Sequence, residues 1–172
     1  MFFVEDILPP EQIAWFRQIR NVCSTPMAMG ELFAHPLEWT PLISERLIDF
    51  IRCRVSQIGG ITAAKKIAAL CESFGVRTAW QEGGDNDPVN QLAAYHLDLA
   101  ISSFGIQEEN HFPEIVHEML PGTAQLKGGY LYVDAPGLGI DLREDLAARY
   151  PLQAADQGWM TVRGVDGSLV KP

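Results

Sequence analysis

Two acidic residues close two short apolar runs. Phe2-Phe3-Val4 leads into Glu5, and the run in "TPMAMGE" leads into Glu31. Read as neighbouring parallel strands, the two runs would end about 4.8 Å apart. Carboxylates that close repel each other unless a cation lies between them. Hard oxygen donors favour a hard divalent ion, and Mg²⁺ suits a site of one or two carboxylates completed by water and substrate. Two solvated loop acids would give the same spacing, so the pattern alone leaves both readings open.

Further polar groups gather where other apolar runs stop. "SQIGGIT" places Gly59-Gly60 between a strand and a helix, where glycine serves a tight turn or a close backbone approach. "WQEGGDNDP" brings Gln81, Glu82 and Asp85 together around two glycines. Such a strand-end loop reads a substrate in some proteins and merely starts a helix in others, here with an N-cap near Asp87. "FGIQEENH" adds Gln107, Glu108, Glu109 and His111. His111 and His117 are six apart, and His96 and Asp98 are two apart in a helix, both poor spacings for a shared metal. These histidines and His35 read as structural or surface groups.

The elements that must position these residues follow a regular alternation. Pro9-Pro10 opens a helix through "EQIAWFRQIRNV", and "LEWTPLISERL" reads as a second. The third helix, "TAAKKIAALCESFG", has Thr62 near its start and Gly75 as its stop. The fourth is "DPVNQLAAYHLDLA". Apolar runs precede or separate them, in "IDFIRCRVSQIGG", "VRTAWQE" and "SSFGIQEE". Strands separated by single helices predict an α/β fold with a parallel sheet, and the polar residues fall at strand C-terminal ends. After Glu108 the pattern loosens into loops, a short β pair around "YLYV", a short acidic helix from Asp141, and a tail with a Val-Asp-Gly-Ser turn. No low-complexity segment or second domain boundary is visible.

Composition narrows the partners. The 172 residues are 47% hydrophobic and 20% charged, enough for one domain with a core. A net charge of -9 with no basic cluster argues against nucleic acid and against an anionic membrane surface. No apolar run is long enough to span a bilayer, and none resembles a signal peptide. Cys23, Cys53 and Cys71 form no CxxC pair and read as buried free thiols in a reducing cytoplasm. A flavodoxin-like binding domain is a weak alternative, because "EDILPPEQ" lacks a phosphate-cradling glycine and its acids would repel phosphate.

Several blocks together carry a resemblance. "FFVEDILPPEQ", "TPMAMGELF", "IDFIRCRVSQIGGIT", "RTAWQEGGDNDPV" and "HLDLAISSFGIQE" occur in this order in acid-sugar dehydratases of the enolase superfamily. The chain most resembles their mannonate dehydratase and starvation-sensing protein group, from Phe2 through "PGLGIDLREDLAARYP". The resemblance implies a partial (β/α)₈ barrel, roughly strands four to eight with an irregular tail. The N-terminal cap and first three strands would then be absent from residues 1–172. It implies Glu5 and Glu31 as Mg²⁺ ligands, and Gln81, Asp85 and Glu108 as substrate contacts. The family's remaining metal Asp, its general acid and its base would lie upstream. One departure falls inside the chain: Gln81 stands where the family usually has His, and glutamine cannot titrate near neutrality.

The implied reaction is removal of the proton beside a sugar-acid carboxylate, with the enediolate stabilised by a cation on three carboxylates. Loss of the β-hydroxyl as water gives a 2-keto-3-deoxy acid. The substrate would be mannonate- or gluconate-like. The competing expectation is a non-catalytic remnant or association module. Five of eight strands leave open sheet edges, so a homo-oligomer or pairing with a separate N-terminal part is expected.

Overall fold

The computed structural model describes residues 1–9, 11–83, 86–151 and 163–168. They belong to two compact units, Met1–Leu142 and Arg143–Pro172.

In the first unit, strands and helices alternate as the apolar patterning predicts. The order is β1 (Val4–Glu5), α1 (Ile13–Val22), β2 (Met27–Met29), α2 (Pro36–Ser44), β3 (Phe50–Ile51), α3 (Ile61–Phe74), β4 (Arg77–Thr78) and α4 (Pro88–Leu99). The four strands form one sheet in sequence order, and every pairing is parallel. Glu5 pairs with Ala28, Ala28 with Phe50, and Phe50 with Arg77. A parallel bridge from Thr78 to Phe104 marks a fifth strand position beyond β4. This is the expected portion of an α/β barrel, five parallel positions joined by single helices.

Alternation along the strands sends neighbours to opposite faces. Met29, Ile51, Cys53 and Trp80 join Phe16, Leu42, Ile43, Ile67 and Ala94 in the cluster between sheet and helices. Ala28, Phe50 and Ala79 form a separate cluster, with Phe3 packed against it. Trp80, Phe16 and Phe33 are fully buried. Each such side chain contributes roughly 1.5–3 kcal/mol of transfer free energy, which explains why short ladders suffice to hold the layers together.

Local signals set the helix ends. Gly75 ends α3 at φ 69°, a conformation that a Cβ would disfavour. Asp87 caps α4 by accepting from the Val89 and Asn90 amides, and His35 forms a capping box with Glu38 at the start of α2. Thr62 is the second residue of α3, near its start as expected, and the chain enters the helix through Gly60 at φ 85°. Asp49 fastens α1 to the sheet: it accepts both Arg20 guanidinium nitrogens at 2.7 Å and the Met27 amide at 2.9 Å.

Beyond Glu108 two expectations change. The stretch read as loop contains α5 (Glu114–Met119), a single short helix without buried residues. At six residues it is too short for its apolar positions, Ile115, Val116 and Met119, to mark a helix in the sequence. The β pair expected around "YLYV" reduces to one antiparallel bridge, Lys127 to Tyr130, across Gly128-Gly129.

The second unit begins with α6 (Glu144–Ala147), the expected short acidic helix. Gly164 N–H donates to the Ser168 carbonyl at 2.8 Å, closing the predicted Val-Asp-Gly-Ser turn. The rest of the tail expectation lies outside the described residues.

Candidate functional site

The C-terminal ends of the strands bring the predicted acids together. Glu5 closes β1, and Glu31 follows β2 by two residues. Asp6 joins them, and one carboxylate oxygen from each of the three lies within 4.8 Å of the others. The strand-end spacing does not mark Asp6 as a ligand. Its backbone is left-handed, φ 46°, a region that Asp tolerates better than most residues. Its amide still donates to the Ala28 carbonyl at 3.1 Å, so the ladder continues into the turn. Burial, then Glu5, then Glu31 push the Asp6 carboxyl up to about 6. An all-oxygen, anionic donor set of this kind fits a hard divalent cation such as Mg²⁺.

Two arginines, unremarked in the sequence, organise the rest. Arg52 and Arg54 follow β3 two residues apart, and such positions share a face of an extended strand. Arg52 is buried; its Nε donates to Glu5 Oε1, and its Nη2 donates to Glu108 Oε2 at 2.9 Å. It therefore ties β1 to the segment after the fifth strand position, across β2 and β4. The Phe3 ring lies under its guanidinium, 5.8 Å from centroid to Cζ. Arg54 Nε donates to Gln81 Oε1 at 2.7 Å, and its Nη2 lies 3.8 Å from Glu31. The available signal was "RCR" in an otherwise apolar strand: alternating charge on a buried element needs partners.

Gly30 makes room for this arrangement. A Cβ there would lie 3.0 Å from the Arg52 and Cys53 backbone. At φ 141°, only glycine accepts the position without strain.

The predicted substrate contacts divide. Gln81 is buried with its carbonyl held by Arg54. Glu108 accepts from Arg52 and, at 2.7 Å, from the Glu82 amide. Asp85 lies outside the described residues. Gly59 and Gly60, both at positive φ, make a tight turn into α3. His35 caps α2, while His111 is exposed and faces Glu109 at 3.5 Å. Chemically, the face offers a triad of acids next to a guanidinium, an amide and a further carboxylate. Such groups can hold and orient a polyhydroxylated acid.

Similar proteins agree with this architecture. A D-galactonate dehydratase family member of Paenibacillus sp. (strain JDR-2) is 55% identical over 182 residues, covering all of this chain and 44% of the relative. The family member RspA of Pantoea ananatis is 48% identical, again over the whole chain and 42% of its own length. A crystal structure of an enolase from Pantoea ananatis with bound D-gluconate and Mg superposes with a TM-score of 0.92 at 47% identity, over 100% of this chain and 42% of that one. A mandelate racemase/muconate lactonizing enzyme from Jannaschia sp. CCS1 follows at 0.80 and 25% identity, over 90% of this chain and 39% of that one. The chain thus spans less than half the length of the curated relatives it matches. Residues 1–146 match the family described as Enolase C-terminal domain-like, and with its parallel strands and acid-bearing strand ends this chain belongs to that family.

Proposed function

We propose that this chain provides the Mg²⁺-binding, substrate-reading side of a barrel that dehydrates a gluconate- or mannonate-like sugar acid to a 2-keto-3-deoxy acid. The observation carrying this reading is the convergence of Glu5, Asp6 and Glu31. The relatives' family name and the D-gluconate and Mg bound to the Pantoea ananatis enolase support it. Glu5 and Glu31 would hold the cation, with Asp6 in reach as a further oxygen donor. When bound, Mg²⁺ supplies positive charge for a carboxylate-stabilised carbanion. Arg52, Gln81, Asp85 and Glu108 bind and orient the substrate hydroxyls and carboxylate. Glutamine at position 81 donates and accepts hydrogen bonds but moves no proton. In this reading the groups that move protons come from outside residues 1–172, and the chain alone is inactive. Buried free thiols at Cys53 and Cys71 go with a cytoplasmic setting.

The test is the melting temperature of the purified chain with and without millimolar Mg²⁺. A ligand at a hundredfold excess over its Kd stabilises by about 2.7 kcal/mol. The expected result is an upward shift that Glu31→Gln abolishes. A cooperative melt indifferent to Mg²⁺ refutes the metal assignment.

A second reading, association through the sheet, draws on particular aromatics. Phe2 stacks at 5.4 Å on both Phe3 and Phe50 yet stays 58% exposed, and Phe104 at the fifth strand position is 46% exposed. Apolar rings at both ends of an open sheet suit a second copy or a complementary barrel part. Light scattering of the purified chain, giving a dimer or a monomer, decides whether a second copy covers them.

A further inference from the structure

Glu82 plays no part in the chemistry above, yet it is 1% exposed and lies next to Gln81. Through its carboxyl, its backbone amide and the Asn90 side chain, it connects segments distant in sequence. Asn90, in the first turn of α4, donates to both Glu82 oxygens at 3.2 and 3.3 Å, and Asn86 donates to Oε2. The same Asn90 side chain accepts the Ser56 amide at 2.7 Å, which brings in the segment after β3. The Glu82 amide donates to Glu108 at 2.7 Å, which brings in the segment after the fifth strand position. Asn110 adds a contact to the Gly83 carbonyl at 3.4 Å. Glu82 thus joins three strand ends, its carboxyl through Asn90 and its backbone amide through Glu108, and the buried Asn90–Glu82 hydrogen bonds at the centre gain strength away from water.

We propose that Glu82 is a positioning residue: through Asn90 and its own amide it locks the segments after β3, β4 and the fifth strand position, and so fixes Glu108 and Gln81. The proposal rests on the reading of those two residues as substrate contacts, but the lock itself can be measured without substrate. Burial pushes the Glu82 carboxyl up to about 8, against the lowering effect of its two asparagine donors. Glutamine keeps the length of the side chain and an oxygen that can take the Oε2 position, which accepts from both asparagines.

The experiment is amide hydrogen exchange on the full chain, read at Ser56 and Glu82 and compared with amides inside α3. In Glu82→Ala, both reporters are expected to exchange at least tenfold faster while α3 is unchanged. In Glu82→Gln, both are expected to keep wild-type protection. Unchanged protection at Ser56 in Glu82→Ala overturns the proposal, as does equal acceleration throughout α3. If Glu82→Ala does not melt cooperatively, Asn86→Ala, which removes one donor, takes its place, with the same two reporters and the same criteria at a smaller expected acceleration. A parallel titration with D-gluconate and Mg²⁺ separates the two readings. Wild-type binding that is weakened in Glu82→Ala and restored in Glu82→Gln supports both. Failure of the wild-type chain to bind D-gluconate counts against the sugar-acid reading, whereas the exchange pattern alone decides the lock.

Discussion

Replacing Arg52 with Met tests the organisation of the site most directly. The change keeps an unbranched apolar stem and removes the guanidinium shared by Glu5 and Glu108. The Arg52 side chain is 7% exposed, whereas those of Glu5 and Glu108 are 31% and 36% exposed. Breaking a fully buried ion pair from one side costs about 3–5 kcal/mol. Both acids here keep contact with water, which reduces the expected cost to about 2 kcal/mol. For a chain of this length that lowers Tm by roughly 4–8 °C. Mg²⁺ should then rescue the variant more than it helps the wild type, since Glu5 loses its competing cation while the repulsion among Glu5, Asp6 and Glu31 rises. The assay is a melt of both proteins across a Mg²⁺ titration. A variant melting within about 1 °C of wild type, or equal Mg²⁺ shifts in both, refutes the reasoning.

Two further outcomes follow from the geometry. Asp98 buries both carboxylate oxygens without a well-formed hydrogen bond, and burial pushes it up to about 7 despite the nearby Trp80 indole. The folded state therefore holds its proton more tightly than the unfolded chain, so stability falls as pH rises from about 4 to 7. Asp98→Asn should melt higher than wild type at pH 8, by up to about 4 kcal/mol, with the gap closing below pH 4; parallel pH-dependent melts check this. Gly30→Ala should cost about 1–3 kcal/mol, from a strained φ and a Cβ against the Arg52 backbone, and should also weaken the Mg²⁺ response; denaturant unfolding measures the first and the Mg²⁺ melt the second.

The repeat of strand and helix was legible because its signals are local. Apolar runs, a helical stripe, Asp87 before α4 and Gly75 after α3 act within a few residues of themselves. The acids at strand ends were legible for the same reason, since parallel strands of similar length end on one face. That is how Glu5 and Glu31 could be paired from the chain alone. The six residues of Glu114–Met119 were too few for a helical period to stand out, whereas Thr62 and Gly75 bracket α3 as their types suggest.

Local patterning therefore carries the α/β succession and the face on which its polar residues gather. Partnership required the tertiary structure. Asp6 enters the acid cluster only through a left-handed turn. Arg52 meets Glu5 and Glu108, 47 and 56 residues away, only once strand order and register are set. Glu82, one more acid in a polar loop by sequence, becomes a buried hub because Asn90 and Glu108 close over it. Local periodicity says which face a residue takes, whereas the charge that answers it depends on which distant strand lies alongside.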